Sequence, residues 1–232
     1  FADGAVLALE SPGVEYLDDA LARKGAATMA DRTAVLAYGA NAAPARLQRK
    51  FEAEGPGAVF PVVKARLFDF DIVHACHYSS YGAVPATLAP SPGTVAEVAL
   101  TYLDQDQLAR MHETELSGRR YVYGLLGQIR VQPEGLAARN AVHSYWTGYG
   151  YFAGPSGPLA LSAIAAEGRR FAAAAQEDMQ IQARDRLAPG RDMHDFVHEN
   201  IADPGLRHER SLALSANAKP FGYFKVGDRT AK

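Results

Sequence analysis

Apolar and polar positions change period several times along the chain, and each change predicts an element. Val14, Leu17 and Leu21 recur on one helical face, and Gly25 is placed to end that helix. The run Ala34-Val35-Leu36-Ala37-Tyr38 is continuously apolar, as a buried strand is, and stops at the turn-type cluster Gly39-Ala40-Asn41. Pro44 suits the first turn of a helix whose apolar face carries Leu47 and Phe51, four residues apart. The order there is strand, tight loop, helix.

Residues 59–75 are β-rich and pass through Arg66, Phe68 and Phe70. Two further strands are predicted over 83–89 and 94–103, divided by Pro90-Ser91-Pro92-Gly93, where a fixed φ followed by a permissive one makes a turn. Asp104 opens a helix with Gln107 as its capping-box partner, and Leu108 and Met111 lie on the apolar face. Gly118 ends the connection that follows. Tyr121–Val131 and Ala141–Tyr149 read as strands, Pro155-Ser156-Gly157-Pro158 punctuates, and residues 159–187 are helical by propensity until Pro189-Gly190 breaks them. A short helix, Asp192–Ile201, and an irregular tail complete the pattern.

Strands dominate to about residue 150 and are joined by short turns, which favours antiparallel or mixed pairing over a doubly wound sheet. The expected class is α+β, with an antiparallel or mixed β-barrel-like core and helices around it. Residues 1–31 read as an N-terminal extension, 32–175 as the principal domain, and 176–232 as a helical C-terminal extension packed on the same core.

Composition mainly excludes. The chain has 232 residues, enough for one good core, with a formal net charge of −2. No basic excess points to nucleic acid, and no cationic amphipathic stretch points to a membrane surface. No apolar run approaches the ~18 residues that a spanning helix needs. One cysteine, Cys76, rules out a disulfide within the chain and makes a Cys-based zinc site an unfavoured expectation, which fits a reducing, cytoplasmic setting. The start, Phe1-Ala2-Asp3-Gly4, has no basic flank and no long apolar region, so no secretory signal is expected, and the lack of an initial methionine suggests processing or truncation.

Four constellations can carry chemistry. Tyr38-Gly39-Ala40-Asn41 stands at a strand-to-helix junction, where successive N–H groups make an anion pocket, although an ordinary connecting turn has the same composition. Glu113-Thr114-Glu115 places two carboxylates at a helix end, where burial would make one of them a general base and exposure would make both a solvated helix terminus. His194 and His198 share a helix face with Asp195 between them, an imitation of a zinc-protease helix, but aspartate is shorter than the glutamate base and His208 lies too far on for the extended motif. In His74-Ala75-Cys76-His77 the two histidines face opposite sides of a strand, which argues against one metal site and leaves a Cys–His pair as the alternative. Trp146 and the tyrosines at 145, 149 and 151 suit core or rim packing, or a pocket wall.

Taken in order, several of these pieces resemble the γ-glutamylcyclotransferase-like family. Val35-Leu36-Ala37-Tyr38-Gly39-Ala40-Asn41 looks like the family's Tyr-Gly-Ser-Asn-Leu loop, with Arg46-Leu47 at the matching later position. Ala65–Phe70, Ala86-Thr87-Leu88, Pro92-Gly93 and Val95–Tyr102 follow in the family's order. Glu113-Thr114-Glu115 then precedes Tyr121, and Ser144-Tyr145 and Pro155-Ser156 continue the series, so that the likeness covers residues 34–175. The loop's usual serine and leucine are Ala40 and Ala42 here, and a family glycine is Glu97.

The resemblance implies an enzyme of the lyase or acyltransferase kind. The α-amine of a small γ-glutamyl substrate attacks the substrate's own γ-carbonyl, giving 5-oxoproline and a free amine. Glu115 would be the general base and acid. Tyr38, Gly39, Ala40, Asn41, Ala42 and Tyr121 would bind the substrate, with no metal, nucleotide or redox cofactor. The changed loop also suggests an alternative, a non-enzymatic binding or interaction member of the same fold, and His194 with His198 suggests a third, a zinc hydrolase.

Overall fold

A computed structural model describes residues 13–51, 59–118, 120–154, 157–222 and 225–228. Phe1–Gly4 and Pro155-Ser156 lie outside the described residues, as do the side chains of Val14 and Pro44. In chain order the elements are α1 (Val14–Arg23), β1 (Thr33–Ala37), α2 (Pro44–Phe51), β2 (Val62–His74), β3 (Ala86–Leu103), α3 (Gln105–Leu116), β4 (Tyr121–Pro133) and β5 (Arg139–Thr147). They continue with β6 (Ala153–Gly154), β7 (Gly157–Leu161), β8 (Ala166–Glu167), β9 (Ala172–Ala174), α4 (Gln176–Leu187), α5 (Met193–Ala202), α6 (Pro204–Ser215) and β10 (Lys225–Asp228). None of the described helices is long and apolar enough to cross a membrane.

The chain divides into two compact units, one from residues 1–68, 97–145 and 223–232, the other from 69–96 and 146–222. The first holds β1 at its centre. This strand runs antiparallel to β3, from Thr33 opposite Leu103 to Ala37 opposite Ala99, and parallel to β5, with Val35 opposite His143. β4 neighbours β5 and pairs antiparallel with β10 through Gly124–Leu126 and with β2 through Arg130–Pro133. Gln128, at φ 55, sits between these two stretches of β4. With β2 beside β3, the strands β4, β5, β1, β3 and β2 close a five-stranded mixed barrel, the α+β architecture expected from the short connections.

Helices α2 and α3 cover one core of this unit: Val35, Leu47, Phe51, Phe60, Leu103, Met111, Tyr123 and Tyr145. Burying an aliphatic or aromatic side chain of this size contributes roughly 1.5–3 kcal/mol, so the apolar face of the short α2 is held by tertiary packing. The start of α3 is fixed as the sequence predicts. Asp104 Oδ1 accepts from the Gln107 N–H at 3.0 Å, and Gln107 Oε1 accepts back from the Asp104 N–H at 3.3 Å.

The second unit packs α4, α5 and α6 around Cys76, Tyr78, Val84, Phe152, Met179, Ala183, Phe196 and Leu214. Three expectations are corrected here or at its border. First, residues 86–103 form one strand, not two with a turn at 90–93. Gly93 takes φ 85, but its N–H donates to Asp69 Oδ1 at 2.8 Å, and β8 pairs with Val95 and Ala96 just beyond, so the backbone kinks and stays extended. Second, the helix expected over 159–187 begins only at Gln176. Its alanine-rich first half instead holds short strands and turns, because Leu159, Ala160 and Leu161 pair in parallel with Ala172, Ala173 and Ala174, and sheet pairing overrides helix propensity. Third, the tail is not irregular: Asp203 caps α6 by accepting from the N–H groups of Gly205 and Leu206, with Pro204 in the first turn.

Candidate active site

The first unit brings the loop after β1 to the last turn of α3. Ala40–Ala42 form a single 3₁₀ turn, in which the Ala42 N–H donates to Gly39 O at 3.0 Å and the Ala43 N–H to Ala40 O at 3.1 Å. The amide of Ala42 is therefore spent inside the loop, contrary to the expectation that it faces a ligand. Among the described residues, the N–H groups of Gly39, Ala40 and Asn41 have no acceptor, and Gly39 and Ala40 are exposed. The donors that can receive a carboxylate or oxyanion are thus those of Gly39, Ala40 and Asn41, one fewer than expected.

The Asn41 side chain crosses to Glu115, seventy-four positions on in the chain: its Nδ2 donates to Glu115 Oε1 at 3.1 Å. Between them sits Lys50, a residue that the sequence reading did not single out. Its Nζ donates to Asn41 Oδ1 at 2.7 Å and to Met111 Sδ at 3.1 Å, and it forms a short ion pair with Glu115 Oε1. Lys50 is only 5% exposed. Burial lowers the pKa of its ammonium, and the facing charge of Glu115 opposes that shift. The sequence did carry a signal. Lys50 lies three residues after Leu47 and directly before Phe51, on the apolar face of α2, where a solvated lysine has no place.

A second set of polar groups borders this trio. His112 lies one helical turn before Glu115, and its Nδ1 is 2.7 Å from the hydroxyl of Tyr145. The His112 ring meets Tyr123 edge-on with centroids 4.5 Å apart, and Tyr123 stacks on His143 at 5.2 Å. Burial, then Tyr123 and the charge of Glu115, push the Tyr145 phenol far above its usual range, so it stays protonated. Burial and the neighbouring His112 lower the pKa of His143. Tyr38 is buried, and its hydroxyl donates to the carbonyl of Tyr145, which ties the end of β1 to β5. Tyr121 stands half-buried at the start of β4, and Glu113 points outward to Arg110 at 2.7 Å.

The other constellations take different places. His194 and His198 stack with centroids 6.3 Å apart on exposed α5. The group near His194 that could share an ion is Asp192 and Asp195, not His198, and all three are exposed. Asp192 already caps α5 by accepting from the Asp195 N–H. In the second unit, His74 is buried with Nε2 3.1 Å from Ala174 O, and His77 Nδ1 lies 3.1 Å from Thr147 Oγ1. Burial pushes the Cys76 thiol up to about 12, so it is no ready nucleophile. Trp146 packs on Phe221 at 5.6 Å and Tyr149 stacks on His77 at 5.1 Å, which is core and rim packing. Glu97 is exposed.

No known family pattern and no curated protein matches the chain. Solved structures do. A protein from Homo sapiens described as uncharacterized is 17% identical, with a TM-score of 0.42, over 86% of this chain and 95% of that one. A structure named gamma-glutamyl cyclotransferase is 17% identical, with a TM-score of 0.38, over 85% of this chain and 94% of that one. YkqA from Bacillus subtilis is 14% identical, with a TM-score of 0.40, over 55% of this chain and 43% of that one.

Proposed function

We propose that this chain is a γ-glutamylcyclotransferase-type enzyme, a lyase or acyltransferase that cyclises a γ-glutamyl amine or peptide to 5-oxoproline and releases the amine. The observation that supports the reading is the meeting of Asn41 and Glu115 at 3.1 Å, two residues that the resemblance assigns to substrate binding and to the proton transfer. The α-carboxylate of the substrate, or the oxyanion that develops at the γ-carbonyl, would lie on the free amides of Gly39, Ala40 and Asn41. Tyr38 and Tyr121 would shape the wall beside it.

The reaction then needs few parts. Glu115 takes a proton from the substrate's α-ammonium, and the freed nitrogen attacks the γ-carbonyl carbon. A carbon–nitrogen bond forms and closes the five-membered ring. As the tetrahedral centre collapses, the bond to the departing nitrogen breaks and Glu115 delivers its proton to that nitrogen; the ring nitrogen's second proton then passes by way of Glu115 to the released amine, which leaves as an ammonium ion. No water is consumed and no electron is gained or lost. The nucleophile is tethered to its target, so proximity comes from the substrate itself.

The test is incubation of the purified protein with a panel of γ-glutamyl amines and dipeptides, followed by assay of 5-oxoproline. Release by the wild type and none by Glu115→Gln is the expected result. Binding without turnover across the panel would instead make the chain a ligand-binding member of the fold, the reading that Ala40 and Ala42 favour.

A further inference from the structure

We infer that Lys50 is a positioning residue that makes Glu115 a one-sided base, holding Oε1 together with Asn41 and leaving Oε2 as the oxygen that exchanges protons with the substrate. The inference rests on the proposed role of Glu115. An ammonium has three donors, and those of Lys50 meet three acceptors: Asn41 Oδ1, Met111 Sδ and Glu115 Oε1. Asn41 Nδ2 donates to the same Oε1, so two donors converge on one carboxylate oxygen. Among the described residues, Oε2 has no partner. A carboxylate gripped at one oxygen cannot turn its plane freely, and its other oxygen keeps a fixed direction.

An apolar side chain at position 50 would complete the face formed by Leu47 and Phe51 and would avoid burying a cation. The lysine is therefore a costly choice for packing alone, and its donor count matches the task of orientation. Its ammonium also meets Met111 Sδ on α3, the helix that carries Glu115, so α2 and α3 are registered at the atom that the proposed chemistry needs.

The test compares Lys50→Met and Lys50→Arg with the wild type and with Glu115→Gln, measuring kcat and KM for 5-oxoproline release together with the thermal midpoint. Lys50→Met is expected to lower kcat by roughly 10–100-fold with KM changed little, as small misplacements of reacting groups do. Lys50→Arg, which keeps the charge and the donors, is expected to recover most of kcat. If Lys50→Met does not fold, Lys50→Gln takes its place with kcat lowered roughly tenfold, since one neutral donor holds an oxygen less firmly than an ammonium does. Wild-type kcat in a folded, neutral variant overturns the inference and leaves the function intact. A wild type that releases no 5-oxoproline from any substrate overturns both.

Discussion

Each unit contains an ion pair with one buried and one half-buried member, Asp71 with Arg169 in one and Lys50 with Glu115 in the other, and the two pairs are finished differently. In the second unit Asp71 is fully buried, and Arg169 grips both of its oxygens, through Nε at 3.0 Å to Oδ2 and Nη2 at 3.0 Å to Oδ1. Oδ1 also accepts from the Ile72 N–H at 2.8 Å, and the guanidinium donates onward to Ile164 O at 2.7 Å. In the first unit, among the described residues, the hydrogen-bond partners of Glu115 all meet Oε1. A closed pair has nothing left to offer a ligand, whereas a pair with one idle oxygen keeps a site open. Burial of charge does not by itself separate scaffold from chemistry; the remaining lone pairs do.

Four substitutions or measurements break or sharpen that contrast. The largest effect is expected of Glu115→Gln, with kcat down about 10²–10⁴-fold and the circular dichroism spectrum unchanged. Asp71→Ala should do the reverse. It should cost about 3–5 kcal/mol, the usual penalty for stranding one member of a buried pair, which urea denaturation reads, while kcat of the folded fraction stays near wild type. Tyr145→Phe removes the hydroxyl that meets His112 and should cost about 1 kcal/mol by the same denaturation, with a smaller loss of activity than Glu115→Gln. The smallest effect belongs to Cys76. Its thiol should resist alkylation at pH 8 in the folded chain and react on unfolding, as mass spectrometry would report. Because its folded pKa is raised from 9.0 to about 12, its contribution to stability is fully present below pH 9 and is lost as pH climbs through that window.

The barrel was legible because its strands are apolar runs bounded by turn residues. The alanine-rich stretch misled, since Ala172–Ala174 have no local reason to be strand and acquire one only from Leu159–Leu161. Pro92-Gly93 misled in the opposite sense, because the partner that keeps the chain extended, Asp69, is distant in sequence. At the candidate site, the family series singled out the loop and Glu115, and Asn41 and Glu115 do meet there. Lys50 was not singled out, although its place on an apolar helical face was a readable anomaly. The spent amide of Ala42 was beyond reach, because a single 3₁₀ turn leaves no trace in composition. His112 could have been found from its spacing of one turn before Glu115.

The order in which the chain is made does not follow the order in which its units are completed. Residues 69–96 interrupt the first unit, 97–145 interrupt the second, and β10, the edge strand on β4, is synthesised only after residue 222 of the other unit. Neither body can be liberated by a single protease cut, and a nascent polypeptide must keep unfinished barrel edges waiting while later segments emerge from the ribosome.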